Sequence, residues 1–320
     1  MKKKLKIGVL FGGKSAEHEV SIASAKNIIN ALDKNKYQIT PIKISKDGKF
    51  RVERLRKFDV IFPILHGPFG EDGSMQGLLK LLEVPFVGAG VLGSAVGMDK
   101  DVMKRLLHEA KIPTPNFLVF HQGDKLSFVK IKKTLGLPLF LKPANMGSSV
   151  GINKVKNEKE FKKAVQIAFK YDTKIIIEEF IDGREVECSI LGNENPIASL
   201  PGEIIASDEF YSYEAKYITT STTLTQVKFN PNTKKRIQEL ALKTYQVLNC
   251  EGMGRVDFLL RKNGEVLVNE INTIPGFTDI SMYPKLWAET GLSQIKLLDR
   301  LIDLAIERFE REQKLKTSVK

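Results

Sequence analysis

Short apolar runs and helical repeats alternate along the first part of the chain. Residues 5–11, 39–44 and 60–65 are rich in apolar side chains, which predicts buried strands. Between the first two, apolar residues recur at helical spacing over residues 21–32, which predicts an amphipathic helix. Strands that alternate with helices predict a parallel α/β sheet, with its ligand-binding loops at the carboxyl ends of the strands.

The pattern changes twice further along the chain. A glycine-rich segment at residues 88–97 is typical of a hinge, and Asp182-Gly183 is typical of a turn between two units. Both later units mix helices and strands, so we predict an N-terminal parallel-sheet domain followed by two α+β domains. The predicted domains span residues 1–97, 98–182 and 183–320. In the third, a polar segment at about residues 202–225 lacks periodicity and has the length of a lid.

The most informative stretch is a predicted hairpin at residues 254–276. Two apolar runs flank Asn263-Gly264, a dipeptide that favours a two-residue turn because it tolerates positive φ. With that turn, Asp257 lies opposite Glu270. Strand side chains alternate between faces, so both carboxylates project from the same face of the hairpin.

Two opposed carboxylates repel each other, so the pair of Asp257 and Glu270 requires a positive charge nearby. Arg255 projects from the same face and is able to supply it, which would make this an ordinary surface hairpin with an ion pair. Asn272, opposite Arg255, adds a third oxygen ligand. Carboxylates and an amide, completed by substrate phosphates, are the usual way that proteins hold Mg²⁺. The hairpin alone leaves both interpretations open.

A second candidate site follows an apolar strand that ends at Lys142. The next segment, residues 145–151, contains two serines and two glycines. Hydroxyls and backbone amides beside a lysine suit phosphate oxygens, although a hairpin loop with a surface lysine is the alternative. A later apolar strand contains Glu178 and Glu179, and a charge in such a strand is costly unless it is paired or bound to a ligand.

Residues 8–15 formally match the P-loop pattern, with Gly8 as its first glycine and Lys14 as its lysine. The strand of a P-loop must end before that glycine so that backbone amides can wrap the phosphates, but Gly8 lies inside the predicted strand. We therefore favour a glycine turn between strand and helix. This interpretation leaves Glu17 near the carboxyl end of the strand, and His66 occupies a glycine-rich loop at the end of another.

The amino-acid composition indicates which kinds of molecule the protein binds. The chain has 50 Lys and Arg against 38 Asp and Glu, and the net charge of +12 suggests an anionic partner. The basic residues are scattered rather than gathered in a stripe, and there is one Trp, so nucleic-acid binding is poorly supported. Cys188 and Cys250 lie far apart, as is typical of a reduced cytosolic protein. No apolar run has the length of a membrane span.

The lysine loop and the hairpin together resemble the D-alanine–D-alanine ligases of the ATP-grasp superfamily. The resemblance extends over nearly the whole chain and rests on short segments that occur in order. These segments are residues 12–21, 66–73, 98–100, 142–143, 147–151, 214–217, 254–257 and 269–276. Such an ordered set is specific, whereas any single segment is not.

The resemblance implies an ATP-dependent ligase that makes D-alanyl-D-alanine for peptidoglycan synthesis. ATP would lie between the second and third domains and would phosphorylate the carboxylate of one D-alanine, whose acyl phosphate the amine of a second D-alanine would attack. The resemblance also implies two Mg²⁺ or Mn²⁺ ions and a cytoplasmic homodimer, with no nucleic-acid or membrane partner.

Individual site residues follow from the matched segments. Those implied to contact the nucleotide are Lys100, Lys142, Ser148, Ser149, Glu178, Glu179, Phe180, Ile181 and Glu185. The implied metal ligands are Asp257, Glu270 and Asn272. The implied catalytic residues are Glu17, Ser148, Tyr217, Arg255 and Gly276. Those implied to contact D-alanine are Glu17, His66, Lys216, Ser281 and Met282.

Two alternative functions remain open. One is an ATP-grasp ligase for another amino or hydroxy acid, such as D-lactate. Glu214-Ala215-Lys216-Tyr217 in the predicted lid matches the dipeptide-forming kind and favours an amine nucleophile. The other is a basic P-loop nucleotide-binding protein, in which Lys14 would be the essential lysine.

Overall fold

Three sheets organise the chain, in a computed structural model that describes residues 3–205, 222–316 and 318–319. The first contains β1 (Leu5–Gly12), β2 (Tyr37–Ile44) and β3 (Val60–Ile64), in the order β2-β1-β3 with parallel pairing. Its neighbouring helices are α1 (His18–Ala31), α2 (Ser74–Leu81) and α3 (Val91–Met98), and a 3-10 helix spans Val52–Lys57. The predicted N-terminal parallel sheet is therefore confirmed.

The second sheet is antiparallel and occupies the middle of the chain. Its strands are β4 (Phe117–His121), β5 (Leu139–Pro143), β6 (Asn153–Val155) and β7 (Lys174–Glu179), in the order β4-β7-β5-β6. The helices α5 (Phe128–Leu135) and α6 (Glu158–Ala168) pack on this sheet, whereas α4 (Lys100–Glu109) buries Met103 and Leu107 in the apolar cluster of the third sheet. Asp99 caps α4 by accepting hydrogen bonds from the backbone amides of Asp101 and Val102.

The third sheet carries most of the candidate chemistry. It contains β8 (Gly183–Leu191), β9 (Ile197–Ala198), β10 (Gly202–Ile205), β11 (Thr222–Leu224), β12 (Met253–Arg261) and β13 (Val266–Asn272). The order is β11-β10-β8-β12-β13, with β9 paired to β8. The helices are α7 (Pro231–Val247), α8 (Met282–Glu289) and α9 (Gln294–Gln313). The predicted lid begins in β10 and ends near β11, and residues 206–221 lie outside the described residues.

The last helix packs on the first sheet. Leu297 and Leu301 of α9 share one buried apolar cluster with Ile7 and Val9 of β1. Arg308 of α9 also donates hydrogen bonds to the backbone carbonyl oxygens of Phe86 and Gly88, in the segment between α2 and α3. The C-terminal end of the chain therefore completes the N-terminal core, and the three domain boundaries stay a prediction.

Most of the glycine-rich segment at residues 88–97, which was predicted to be a hinge, forms the helix α3. Its glycines allow close packing. A Cβ on Gly93 would lie 2.6 Å from the backbone oxygen of Asn249, and one on Gly97 would lie 2.9 Å from Thr273 Cγ2. Glycine content alone therefore did not reveal a tightly packed helix here, and the hinge stays a prediction.

We expect Gly93→Ala to destabilise the protein by about 1–2 kcal/mol, because the added methyl group meets backbone atoms that cannot rotate away. Gly77 in α2 is the matched control, since a Cβ there meets nothing within 4 Å. Gly77→Ala should stabilise the protein by about 0.5–1 kcal/mol through helix propensity. Urea unfolding of both variants measures the difference, and equal stabilisation by the two substitutions would contradict this packing.

The β12–β13 hairpin pairs as predicted at Asp257 and Glu270 but not at its turn. Asp257 pairs with Glu270 and Arg255 with Asn272, whereas Phe258 pairs with Val268. The connection between β12 and β13 is longer than the predicted two-residue loop, because Arg261 N bonds to Glu265 O across it. A bulge next to Asp257 offsets that difference and restores the predicted pairing beyond it.

The position of Gly8 inside a strand contradicts the P-loop alternative. It lies in the middle of β1, paired with Thr40 on one side and Ile61 on the other. A Cβ on Gly8 would lie 2.7 Å from Ile61 Cδ1 and 2.9 Å from Ile42 Cδ1. The glycine therefore permits close side-chain packing inside the sheet and does not face a phosphate.

Helices in the described part of the chain are too short or too polar to cross a lipid bilayer.

Candidate active site

Two adjoining cavities lie against the third sheet. The larger has a volume of about 280 Å³ and is lined by β5, β7, β8 and the β12–β13 hairpin. The smaller, of about 80 Å³, is lined by residues from the loops after β1 and β3, the glycine loop at residues 147–151 and the segment after β13. Glu187 and Ile204 line both cavities, so the two spaces meet at β8 and β10.

Two lysines share one glutamate at the wall of the larger cavity. Lys142 Nζ lies 2.7 Å from Glu178 Oε2, and Lys104 Nζ lies 3.2 Å from Glu178 Oε1. Burial alone would raise the pKa of Glu178, but the charges of Lys104 and Lys142 lower it to about 2. Burial opposes the charge of Lys142, yet Glu178 and Glu270 raise its pKa, so the ammonium group persists at neutral pH. The cavity therefore contains a fixed cation suited to phosphate oxygens.

Another wall of the larger cavity is aromatic. The ring centroids of Phe140 and Phe180 lie 6.0 Å apart, and Lys154 Nζ lies 4.4 Å from the Phe180 centroid. Ile181 and Glu185 line the same space. Aromatic and aliphatic surface with a carboxylate beside it suits a planar base and its sugar.

Glu179 also borders this cavity, but its carboxylate has protein partners. Its Oε1 atom accepts a hydrogen bond of 2.9 Å from Asn116 N, and its Oε2 atom lies 3.3 Å from Arg261 Nη2. This side chain thus joins β7 to β12, in addition to any contact that it makes with a nucleotide.

Three carboxylates form one row across the third sheet, because Glu187 pairs with Asp257 and Asp257 pairs with Glu270. Arg255 crosses the row. Its Nε and Nη2 atoms donate hydrogen bonds of 2.7 Å to Asp257, and Nε also lies 2.9 Å from Glu187 Oε2. Asn272 Nδ2 donates to Asp257 Oδ2 over 2.9 Å. Arg255 is thus an ion-pair partner of the row in this structure.

Lys100 and the glycine loop approach the same row. Lys100 Nζ lies 3.5 Å from Glu270 Oε2 and donates a 2.7 Å hydrogen bond to the Met146 carbonyl oxygen. Ser149, in the loop, lines the larger cavity. Ser148 and Ser149 both have positive φ, at 47° and 61°, a conformation rare for residues with a side chain.

The Asp257 and Glu270 end of the carboxylate row fits a divalent cation. Asp257, Glu270 and Asn272 supply carboxylate and amide oxygens, the ligand types that Mg²⁺ prefers. The two carboxylates already attract the cations of Arg255 and Lys100, so this region stabilises added positive charge. Within the described ranges, no group of three or more His, Cys, Asp or Glu side chains is arranged for a metal, so other oxygens must complete the coordination shell.

The bulge next to Asp257 brings an additional side chain to the site. Asn269 on β13 lines the larger cavity, and its Oδ1 atom lies 3.4 Å from Lys142 Nζ. In a regular hairpin with this turn, Asn269 rather than Glu270 would face Asp257. The bulge therefore allows Asn269 and Glu270 to reach the same cavity.

Glu17 anchors the smaller cavity. Its Oε1 atom accepts a hydrogen bond from Ser148 Oγ, which joins the loop after β1 to the glycine loop. Cβ atoms added to Gly67 or Gly147 would each lie 2.9 Å from Glu17 Oε2. These glycines let two backbone segments approach the carboxylate, and Glu17 itself is 7% exposed. A buried carboxylate in this position suits a small ammonium group.

His66 and Glu71 lie beside Glu17 in the smaller cavity. Burial lowers the pKa of His66, so its imidazole is neutral at neutral pH. Glu71 accepts hydrogen bonds from Gly67 N at 2.6 Å and Ile274 N at 3.3 Å. Burial, together with the charge of Glu17, raises the pKa of Glu71 to about 8, so this carboxyl group is protonated at neutral pH.

Glu71 makes the stability of the protein depend on pH. In the unfolded chain it ionises near 4.5, so between that pH and about 8 the folded state holds an extra proton. Stability should therefore fall as pH rises through this window, by at most about 1.4 kcal/mol per pH unit. Glu17 strengthens the effect and Arg255 weakens it.

We expect Glu71→Gln to remove this dependence, because the amide stays neutral at every pH. Urea unfolding at several pH values between 5 and 8 compares variant and wild type. The stability of the variant relative to wild type should increase as pH rises, whatever constant offset the amide adds. Parallel pH profiles for the two proteins would contradict the assignment.

Gly276 and Ser281 lie at the far side of the smaller cavity, together with Met282. A Cβ on Gly276 would lie 2.8 Å from Ser281 Oγ, and that hydroxyl oxygen accepts a 2.9 Å hydrogen bond from Thr278 N. Met282 is buried and packs against Ile204 of β10. The structure thus brings together Glu17 and His66, after β1 and β3, with Ser281 and Met282, after β13. Lys216 and Tyr217 lie outside the described residues.

The comparisons with known proteins agree with this arrangement. The family described as "D-ala D-ala ligase C-terminus" matches residues 106–303, and "D-ala D-ala ligase N-terminus" matches residues 6–57 and 51–89. The chain belongs to the D-alanine–D-alanine ligase family. A D-alanine–D-alanine ligase from Oceanobacillus iheyensis is 46% identical, over 98% of this chain and 99% of the relative.

Solved structures of the D-alanine–D-alanine ligase family extend the agreement to the fold. The ligase from Coxiella burnetii matches with a TM-score of 0.88 and 42% identity, covering 97% of this chain and 96% of that one. A Bacillus anthracis ligase in complex with ATP matches with a TM-score of 0.83 and 31% identity, covering 96% and 99%. The predicted ATP-grasp architecture is confirmed.

Three acidic or basic residues of the site were missed by sequence reasoning. Lys104 follows Lys100 by four positions and so shares its face of α4. Glu187 follows Glu185 by two positions and projects from the same face of β8. Glu71 lies in the same glycine-rich loop as His66. The sequence spacing of each residue placed it near the site, but the spacing did not indicate which distant residue its side chain would contact.

Proposed function

We propose that this protein joins two D-alanines into D-alanyl-D-alanine, with ATP as the energy source and a D-alanyl phosphate as intermediate. The observation that carries the proposal is the meeting of two cavities at a row of carboxylates. One cavity contains a buried lysine and an aromatic wall suited to a nucleotide, and the other contains a buried carboxylate suited to an ammonium group. The names of the relatives support the choice of D-alanine as substrate.

In the first step, a carboxylate oxygen of one D-alanine attacks the γ-phosphorus of ATP, and the bond to ADP breaks. Glu17 binds the ammonium group of that D-alanine, and His66 lies beside it. Lys100 and Lys142 neutralise phosphate oxygens, while Ser148 and Ser149 bind them through the loop. Phosphoryl transfer depends mainly on positioning and charge neutralisation, which these residues provide without covalent chemistry.

Asp257, Glu270 and Asn272 would hold two Mg²⁺ or Mn²⁺ ions. When bound, the metal adds positive charge to the phosphate oxygens and orients them. Without cations, the carboxylates of Asp257 and Glu270 would repel the phosphate groups of ATP. Bound cations are therefore needed for ATP to bind beside these carboxylates. Lys100 and Arg255, which pair with the row in this structure, supply part of that positive charge.

In the second step, the amine of another D-alanine attacks the acyl carbon. The carbon–oxygen bond to phosphate breaks, and the proton that the amine loses leaves with the released phosphate. An oxyanion develops on the former carbonyl oxygen, and we assign Arg255 and the amide of Gly276 as its donors. Ser281 and Met282 bind the second D-alanine. The predicted lid, with Lys216 and Tyr217, would exclude water from the acyl phosphate.

We also propose that the protein acts in the cytoplasm in peptidoglycan precursor synthesis, as a homodimer. Dependence on ATP favours the cytoplasm, and Cys188 and Cys250 are both free and buried. The homodimer rests on the family resemblance alone. Analytical ultracentrifugation at several protein concentrations tests it directly.

Release of phosphate from ATP tests the proposed function. We expect release that requires both D-alanine and Mg²⁺, stops on chelation, and yields one dipeptide per phosphate. D-lactate offered together with D-alanine distinguishes the depsipeptide alternative, because an ester product in place of the dipeptide would favour it. Phosphate release that is indifferent to D-alanine would contradict both.

A further inference from the structure

Glu187 is a buried carboxylate at the junction of the two cavities, and the proposed reaction gives it no role. It lies in the middle of β8, and its side chain is 7% exposed. A carboxylate so deeply buried is costly unless a specific partner compensates for the lost hydration. That partner is Arg255, the residue assigned to the oxyanion of the second step.

The register of the sheet fixes how Glu187 meets Arg255. Glu187 lies directly opposite Asp257 on the neighbouring strand, whereas Arg255 lies opposite Ser189. Paired residues of antiparallel strands project from the same face, so Glu187 and Asp257 approach one guanidinium group from two adjacent strands. Val186 and Cys188, which alternate with Glu187, are buried in the cluster beneath the sheet. The backbone therefore holds the Glu187 carboxylate on the active-site face.

Arg255 contacts two carboxylates, of which Asp257 is a proposed metal ligand and Glu187 is not. Asp257 accepts hydrogen bonds of 2.7 Å from both Nε and Nη2, so it dominates the orientation of the guanidinium group here. The same Asp257 oxygens are the proposed metal ligands, and a metal ion would repel the guanidinium group from them. Glu187 is not among the proposed ligands and lies 2.9 Å from Arg255 Nε.

We propose that Glu187 is a positioning residue, which keeps Arg255 directed at the boundary of the two cavities when a metal ion occupies Asp257 and Glu270. This inference rests on the proposed function, because it requires a metal at those carboxylates. Glu187 acts through Arg255 rather than on the substrate. Glu187 thus keeps the guanidinium group of Arg255 in place for the second step while a metal ion binds next to it.

A double-mutant cycle tests this role, with Glu187→Gln, Arg255→Ala, the double variant and wild type. Two quantities are measured in each protein. One is kcat for dipeptide formation, and the other is the Mg²⁺ concentration at which ADP half-maximally raises the melting temperature. The second readout reports on the metal site without turnover. Circular dichroism melting of each variant without ligands shows that it is folded.

In the wild-type background, we expect Glu187→Gln to lower kcat by about 10- to 100-fold, the range for loss of one buried ion-pair contact. The Mg²⁺ requirement should rise, since Arg255 then depends more on Asp257 and competes with the metal ion for that carboxylate. In the Arg255→Ala background, Glu187→Gln should change neither quantity further. Glu187→Asp, which keeps the charge, should lose less activity than Glu187→Gln.

Glu251→Gln is the matched control, because Glu251 is a half-buried carboxylate that pairs with Arg311 and lines neither cavity. It should leave both quantities unchanged. Equal losses from Glu187→Gln in the two backgrounds, or wild-type behaviour of Glu187→Gln, would overturn the inference. If the wild-type protein fails to make dipeptide, the proposed function fails, and the Mg²⁺·ADP cycle still reports on whether Glu187 acts through Arg255.

Discussion

Glu270→Gln is expected to lower ATP-dependent turnover by about 10³-fold, the loss that accompanies removal of several kcal/mol of metal-derived stabilisation. Glutamine has the shape of glutamate but lacks the charge that a divalent cation requires. The fold should survive, because Glu270 lies on the open face of the β12–β13 hairpin, 24% exposed, and not in the apolar cluster below it. Steady-state phosphate release as a function of Mg²⁺ measures the loss.

Higher Mg²⁺ should restore part of the activity of Glu270→Gln, since Asp257 and Asn272 remain. Glu265→Gln, at the turn of the same hairpin, is the matched control. Glu265 pairs with Arg261 over 3.2 Å and does not line either cavity. The control should retain wild-type turnover. Near-normal turnover of Glu270→Gln itself, with an unchanged Mg²⁺ requirement, would show that the carboxylate row is not the metal site.

Lys142→Met is expected to lower kcat/KM for ATP by about 100-fold, because a charge-assisted contact to phosphate is lost from a buried site. Methionine keeps much of the apolar volume of the lysine side chain. Glu178 retains Lys104 as a partner, so the variant should fold. Steady-state kinetics at saturating D-alanine measure kcat/KM for ATP, and calorimetric binding of ADP measures nucleotide affinity without turnover.

Lys14→Ala distinguishes this site from a P-loop, which would require Lys14 rather than Lys142. In the structure, Lys14 Nζ lies 5.6 Å from the centroid of the Phe69 ring, outside both cavities of the candidate site. Lys14→Ala should therefore bind ADP like wild type. Loss of nucleotide binding in Lys14→Ala, with normal binding in Lys142→Met, would reverse the assignment.

The β12–β13 hairpin shows how far local sequence rules reach. Alternation placed Asp257 and Glu270 on one face, and the structure confirms their pairing. The predicted turn was nevertheless wrong, and the pairing survives because a bulge compensates for the longer loop. A bulge depends on what packs against both faces of a strand, and that information is not contained in the turn dipeptide.

The periodicity of hydrophobic residues could not predict contacts between segments that are distant in sequence. The pattern of α4 indicates which face is buried, but not that Lys104 on this face meets Glu178 on β7. The segment at residues 88–97 is rich in glycine because α3 packs closely against the backbone near Asn249. Neither partner is near in sequence. The fold class and the strand ends were predictable from patterns, whereas these pairings are set by tertiary packing.

The family resemblance, rather than residue chemistry alone, linked the separate motifs. Taken alone, Glu17 was a carboxylate at a strand end, and the loop with Ser148 was one of several possible phosphate-binding turns. The structure brings the two together through a hydrogen bond between Ser148 Oγ and Glu17. Their proposed roles toward D-alanine and ATP stay predictions until the substrates are tested.

The central claim is that the carboxylate of one D-alanine is activated by phosphorylation before the peptide bond forms. The most direct test supplies D-alanine labelled with ¹⁸O in its carboxylate, together with ATP and Mg²⁺, and analyses the released phosphate by mass spectrometry. Our account predicts one ¹⁸O atom in each phosphate, because the attacked acyl carbon gives up the oxygen that bonded to phosphorus. Phosphate without ¹⁸O, released while dipeptide accumulates, would contradict it.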